Sequence, residues 1–233
     1  MHEGKPGSFL AIFKNRLTKT VVSGAENLSA IDAPGPAMLI INHTTVVDVI
    51  VTLGSLHELG YTTDGPCHGK CIHKRHIRPI GTSDLWNFKF TRKRVEGSGV
   101  IATDQHDGRS AFRNALRALD DNQCVLIYPE GDVKINAEAS PREWRPGAVA
   151  LARSRKMPIV PIAHHDCRKL GSGSVAKSII LALSKVVGKK PTIHLNIGRP
   201  ILPAELEGKS PTEIGQIMFD RLVESWQVAK AAN

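Results

Sequence analysis

Two short stretches carry residue types able to do chemistry together. The first is Asn42-His43-Thr44-Thr45-Val46-Val47-Asp48. Histidine titrates near neutral pH, so His43 can serve as a general base, and the Asp48 carboxylate can fix its tautomer and favour its charged form. The spacing restricts the geometry. On one straight helix, five residues turn through about 500°, roughly 140° beyond a full turn, and the two side chains diverge. They meet only if His43 lies in a loop and Asp48 on the first turn of a following helix. Otherwise His43 caps a helix and Asp48 is a surface residue. The second stretch is Ile127-Tyr128-Pro129-Glu130-Gly131-Asp132. Glu130 stands where a substrate hydroxyl can be hydrogen-bonded, and Gly131 lets backbone approach closely. The competing reading is a tight turn with a solvated glutamate. Further on, Trp144-Arg145-Pro146-Gly147 leads into a helix, with Arg145 placed to meet a phosphate.

Both stretches follow apolar runs that read as strands. Thr20–Ser23, Ala37–Ile41, Cys124–Tyr128, Ile159–Ala163 and Thr192–Ile197 are brief, rich in Val, Ile and Leu, and bounded by Gly, Pro or Asn. Between them lie helical patterns at Val47–Leu59, Arg109–Asp120 and Ala148–Arg155. In the second, Phe112, Ala115, Leu116 and Leu119 share a face. This alternation predicts a single α/β domain with a largely parallel central sheet flanked by helices. A strand-to-helix junction is where such sheets expose catalytic groups, and His43 falls on one. Near the C-terminus, Ser210-Pro211-Thr212-Glu213 reads as a capping box with proline at the first helical position, opening a helix over 211–230. Residues 1–19 read as a short N-terminal helical segment and 20–233 as the main domain. The N-terminal helix either lies on a membrane surface or packs on the core. The segment His68–Arg94 holds eight Lys or Arg against one acid, Asp84, and has no clean period. It reads as a loop-rich basic insertion and the best place for an anionic ligand.

Composition narrows the function classes. The 233 residues are 41% hydrophobic and 23% charged, with a mean hydropathy of −0.15, as in ordinary folded proteins. Lys and Arg exceed Asp and Glu by 31 to 22, a net charge of +9, and the sequence pI is about 9.6. Such a surface attracts phosphates, acidic carrier proteins, nucleic acid or anionic lipid. Four cysteines exclude a disulfide-dense scaffold and favour a reducing compartment. No run approaches the ~18 apolar residues of a membrane span, and no signal peptide is recognisable. A cytoplasmic protein, peripheral on the cytosolic face of a membrane, is expected.

The order and spacing of these motifs resemble the glycerolipid acyltransferases of the lysophosphatidic acid acyltransferase type. Their N-H-x4-D motif is matched by Asn42, His43 and Asp48. Their aromatic segment ending in arginine is similar to Phe88–Arg94, with Arg92 or Arg94 as the basic residue. Their F-P-E-G-T-R motif is matched in part by Tyr128-Pro129-Glu130-Gly131, and their V-P-[IV] strand by Val160-Pro161-Ile162. Gly24-Ala25-Glu26-Asn27-Leu28 is similar to the lead-in of the first motif. The resemblance spans roughly residues 20–201, and four weak motifs in order are far more specific than one.

The resemblance implies a glycerolipid-acyltransferase-like fold and a role in phospholipid biosynthesis. The donor would be acyl-CoA or an acylated acyl carrier protein, with no other cofactor and no metal. A lysophospholipid would be the acceptor and an anionic membrane surface a partner. His43 and Asp48 would be catalytic. Glu130, Gly131, Arg92 and Arg94 would form the acceptor site, and Arg145 would contact the donor or a phosphate. One departure bears on the acceptor. Where the family has E-G-T-R, this chain has Glu130-Gly131-Asp132-Val133. The arginine is missing and Asp132 repels a phosphomonoester. Lys134 can substitute, though as a point charge rather than a fork.

Three other readings compete. Hydrolysis of the thioester would use water at the same His43. A nucleic-acid-binding module would use the basic stretch with Trp86, Phe88 and Phe90, but leaves His43, Asp48, Glu130 and Gly131 unexplained. A zinc site would use Cys67, His68, Cys71, His73 and His76, with more ligands at His164-His165-Asp166-Cys167, but the spacing matches no common finger.

Overall fold

A computed structural model of the chain describes residues 9–62, 74–82, 99–103, 108–131, 133, 140–142, 144–165, 167–172, 177–178, 180–181, 184–185 and 188–232. In chain order it contains α1 (Phe9–Leu17), β1 (Lys19–Ser23), a 3-10 segment (Ala25–Ile31), β2 (Ala37–Ile41), α2 (Asp48–Glu58), β3 (Tyr61–Thr62), β4 (Arg75–Thr82) and β5 (Ile101–Thr103). There follow α3 (Gly108–Asp120), β6 (Cys124–Ile127), α4 (Pro146–Ser154), β7 (Ile159–His165), β8 (Thr192–Ile197), α5 (Pro203–Leu206) and α6 (Pro211–Ala231).

The strands form one eight-stranded sheet in the order β1-β8-β7-β2-β6-β4-β3, with β5 paired to β4. Every pairing is parallel except β7 with β8. The expected single α/β domain with a largely parallel sheet is the one observed. The central strands are buried along their whole length, as parallel strands covered on both faces must be.

The two-residue period of the strands sorts the core into layers. Met38 and Ile40 of β2, Val125 of β6 and Ile159 of β7 face α3, α4 and α6, where they meet Ala115, Leu119, Leu151, Met218, Leu222 and Trp226. Ala37, Leu39, Ile41, Leu126, Val160 and Ile162 face the other way, against Leu53 and Leu56 of α2. The capping box of α6 forms as expected: Glu213 N–H donates to Ser210 Oγ at 3.3 Å, and Ser210 N–H to Glu213 Oε2 at 2.8 Å. Ahead of it, α1 packs on α2 and buries Ala11, Lys14 and Leu17, so the core-packed alternative describes α1. The close approach uses Gly54, where a Cβ would lie 2.9 Å from Leu10 O and 3.0 Å from Lys14 Cβ.

The basic segment is not loop-rich throughout. Arg75–Thr82 is β4, hydrogen-bonded to β3, β5 and β6. Its period is hidden because its two large aliphatic residues, Ile77 and Ile80, are three apart rather than two, with Arg78 and Pro79 between them. The charges serve the architecture. Arg75 donates to the carbonyls of Ile31, Ala33, Gly35 and Asn122, and Arg78 to Gly99 O and Gln123 Oε1. Those two guanidiniums tie loops to the sheet and are not free for an anionic ligand. Arg92, Arg94, Asp132 and Lys134 lie outside the described residues. Of the Cys67, Cys71, His73 and His76 cluster, His76 lies within them. Among the described residues no group of three or more His, Cys, Asp or Glu is placed to hold a metal ion.

Candidate active site

The site forms where β2 and β6 end beside β7, which runs on to His165, with Ile41 opposite Ile162 and Ile40 opposite Ile127. Beyond Ile41 the chain turns away and the ladder would break. The Asn42 carboxamide continues it: Nδ2 donates to His164 O at 3.2 Å, and His164 N–H donates to Asn42 Oδ1 at 3.0 Å. A buried side-chain amide thus satisfies backbone groups that the departing strand would orphan. It also fixes where the next residue, His43, begins its loop.

Asp48 is the first residue of α2. His43 Nδ1 lies 3.0 Å from each of its carboxylate oxygens. Oδ2 also accepts from Thr44 N–H at 2.7 Å and Thr45 N–H at 3.0 Å, while Thr45 Oγ1 accepts from Val47 N–H at 3.1 Å. The carboxylate therefore folds back over the turn that carries His43. Asp48 is fully buried, and burial alone would raise its pKa. The positive ends of His43 and His164, with their hydrogen bonds, outweigh burial and hold it well below the ordinary carboxylate range. The N-terminal end of α2 favours the same charge. With Nδ1–H directed at Asp48, the His43 lone pair sits on Nε2, the nitrogen able to accept a proton. The Tyr128 ring lies against the imidazole, centroids 4.4 Å apart at 38°. Burial pushes the Tyr128 phenol well above its usual pKa, so it stays neutral.

The turn after β6 closes on the same point. Gly131 N–H donates to Tyr128 O at 3.0 Å, with Gly131 at φ +74°. Glu130 is buried; its Oε1 accepts from the His43 backbone N–H at 3.1 Å, and its Oε2 lies 3.1 Å from Arg142 Nε. Burial raises its pKa to about 7, against the opposing pull of the His43 N–H and Arg142. Glu130 is thus committed to the His43 loop and to Arg142, rather than standing as a solvated turn residue. The Arg145 side chain lies across Gly131, where an added Cβ would meet its Cδ at 2.5 Å. Arg145 N–H donates to Pro129 O at 2.9 Å. His43, Asp48, Glu130, Gly131 and Arg145 are therefore brought together, although they span more than a hundred residues of chain.

Three contributors were not legible as such in the sequence. Arg142 sits in a polar stretch with nothing to mark it as the partner of Glu130. Asn42 is visible only as part of a motif, not as a bridge to β7. His164 lies in the His164-His165-Asp166-Cys167 run read for metal ligation, but its Nε2 is 3.3 Å from Asp48 Oδ2.

This arrangement holds a histidine in one tautomer beside a carboxylate, with guanidiniums from one short segment at its rim. It suits proton removal from a hydroxyl near an anionic group. The Acyltransferase family model matches residues 19–165, which include Asn42, His43, Asp48, Glu130, Gly131 and Arg145. The crystal structure of the 1-acyl-sn-glycerophosphate (LPA) acyltransferase PlsC from Thermotoga maritima is similar in fold, with a TM-score of 0.64 at 16% identity. The similarity covers 95% of this chain and 78% of that one. No curated protein sequence matches. With well over half of its length matched and the fold shared, this chain belongs to the acyltransferase family.

Proposed function

We propose that the protein transfers a fatty acyl group from an acyl thioester, on coenzyme A or acyl carrier protein, to a hydroxyl of a lysophosphatidate-like glycerolipid. The observation that carries this reading is the His43–Asp48 contact at 3.0 Å, in a loop that Glu130 pins through the His43 backbone. His43 Nε2 takes the proton as the acceptor oxygen attacks the thioester carbonyl. The tetrahedral intermediate then expels the thiolate, which takes that proton from His43 and leaves as a thiol. Asp48 holds the ring and stabilises the imidazolium between the two steps. No protein nucleophile is required. Arg145, and Arg142 behind Glu130, supply planar donors for a phosphate where the family's arginine is replaced by Val133. Arg92, Arg94 and Lys134 are further candidates for that phosphate.

The net charge of +9 supports an acidic carrier or coenzyme A phosphates as donor, and an anionic membrane surface as the place of work. Among the described residues no helix is long and apolar enough to cross a membrane, in keeping with peripheral attachment.

The test is acyl transfer by purified protein from radiolabelled long-chain acyl-CoA, then from acylated carrier protein, to a panel of lysolipids beside His43→Ala. Labelling of lysophosphatidate that His43→Ala abolishes is the expected result. Labelling only of an acceptor lacking a phosphomonoester would overturn the acceptor assignment. Free fatty acid with no acylated lipid would assign the same site to hydrolysis.

A further inference from the structure

Asp48 raises a problem of charge. It is wholly buried, and an isolated carboxylate there is costly unless a cation or a full set of donors compensates it. In the resting enzyme His43 must be neutral to act as a base, so it cannot be the counter-charge. Two backbone N–H groups, the neutral His43 Nδ1–H and the end of α2 compensate in part, but none of them carries a full positive charge. The other titratable group in contact is His164. It is fully buried on β7 with its Nε2 3.3 Å from Asp48 Oδ2, a charge contact, and neither ring nitrogen has a hydrogen-bond partner among the described residues. Its backbone is fixed on both sides by Asn42.

We propose that His164 is the buried counter-ion of Asp48 and a positioning residue for His43, carrying a positive charge while His43 is neutral. The inference rests on the reading of His43 as the base.

The surroundings of His164 fit that role. The titratable groups around it are Asp48 at the start of α2, His43 beyond that carboxylate, Cys167 in the turn after β7, and the Tyr128 phenol, which senses both Asp48 and Cys167. Its cross-strand partner on β8 is Leu195, which is apolar; His194 pairs instead with His165. Burial disfavours a proton on His164, but Cys167 and Asp48 outweigh it and push its pKa well above the usual histidine value. A cation on the far side of Asp48 has a defined effect on His43. It offsets part of the carboxylate's field at the His43 ring.

Two measurements test this. In the full chain labelled with 15N-histidine, the His164 ring, assigned through its backbone, is expected to carry both protons at pH 7. A neutral His164 ring at pH 7 overturns the proposal, whether or not acyl transfer is detected. The second measurement is the pH profile of kcat/KM for His164→Gln, which keeps a donor but removes the charge. Its acidic limb is expected to move up by about one pH unit, so that activity falls about tenfold at pH 6 and recovers by pH 9. An equal loss at every pH, or an unmoved limb, would show a merely structural residue and overturn the proposal. Should His164→Gln fail to fold, the wild-type spectrum decides alone. Absence of acyl transfer by the wild type would instead count against the reading of the enzyme.

Discussion

His43 Nδ1 stands 3.0 Å from both carboxylate oxygens of Asp48, five residues further along the chain. Two backbone N–H groups of the intervening turn grip the same carboxylate. The pair is thus a small closed ring of chain, and its tautomer is set by Asp48. Asp48→Asn preserves the shape but places an N–H2 or an amide oxygen where an acceptor for several donors is needed. We expect kcat/KM to fall on the order of a thousandfold while the fold is kept, read by acyl-transfer kinetics beside circular dichroism. Near-normal activity would remove Asp48 from the mechanism.

Gly131 sits at φ +74°, a region that side chains rarely adopt, and a Cβ there would meet Arg145 Cδ at 2.5 Å and Nε at 2.6 Å. Gly131→Ala should therefore cost about 1–3 kcal/mol through backbone strain and should displace Arg145. Urea denaturation and the KM for acceptor would both change. An unchanged denaturation midpoint would contradict the close packing of Arg145 on this turn.

Arg145 offers a planar fork on the turn at Gly131, and a neutral residue of similar length cannot hold an anion in the same way. Arg145→Gln should raise the KM for a phosphate-bearing acceptor or donor by about ten- to a hundredfold and change kcat less. Steady-state kinetics against acceptors with and without a phosphomonoester separates the two ligands. An effect confined to kcat would place Arg145 outside phosphate binding.

Glu130 titrates near pH 7 in the fold instead of at its ordinary 4.5, because it is buried. A folded-state pKa raised above the unfolded value gives stability that is complete below pH 4.5 and is lost as pH rises through 7. The shift corresponds to at most about 3 kcal/mol. Glu130→Gln cannot titrate and still accepts from the His43 N–H. Between pH 5 and pH 8 the wild type should lose stability relative to this variant, seen in paired urea midpoints. Parallel profiles would mean that Arg142 compensates the ionised carboxylate fully.

Much of the layer architecture was legible because it follows from local rules. Ala37–Ile41 and Thr192–Ile197 are strands at the bounds their apolar runs predict, and Ser210–Glu213 caps α6 as its residue types require. These depend on side-chain period and on capping chemistry close in sequence. Arg75–Thr82 was not legible as a strand. Its Arg75 is spent on carbonyls 40 to 47 residues distant, and its Arg78 on Gly99 O, 21 residues away, which no local pattern records.

The same division runs through the site. Residue types alone place a histidine and an aspartate at a strand-to-helix junction, since Ile41 ends an apolar strand and Asp48 falls on the first turn of the helical pattern from Val47. They can meet only with His43 in the loop, because helical geometry forbids any other arrangement at that spacing. What surrounds them comes from contacts distant in the chain. Glu130 reaches His43 across 87 residues, and Asn42 and His164 meet across 122. Those contacts exist because β2, β6 and β7 pair in parallel, β2 and β6 end together, and β7 runs on past them to His165. Strand pairing is cooperative over the whole sheet, so the company that Asp48 keeps in the core is settled only when the sheet closes.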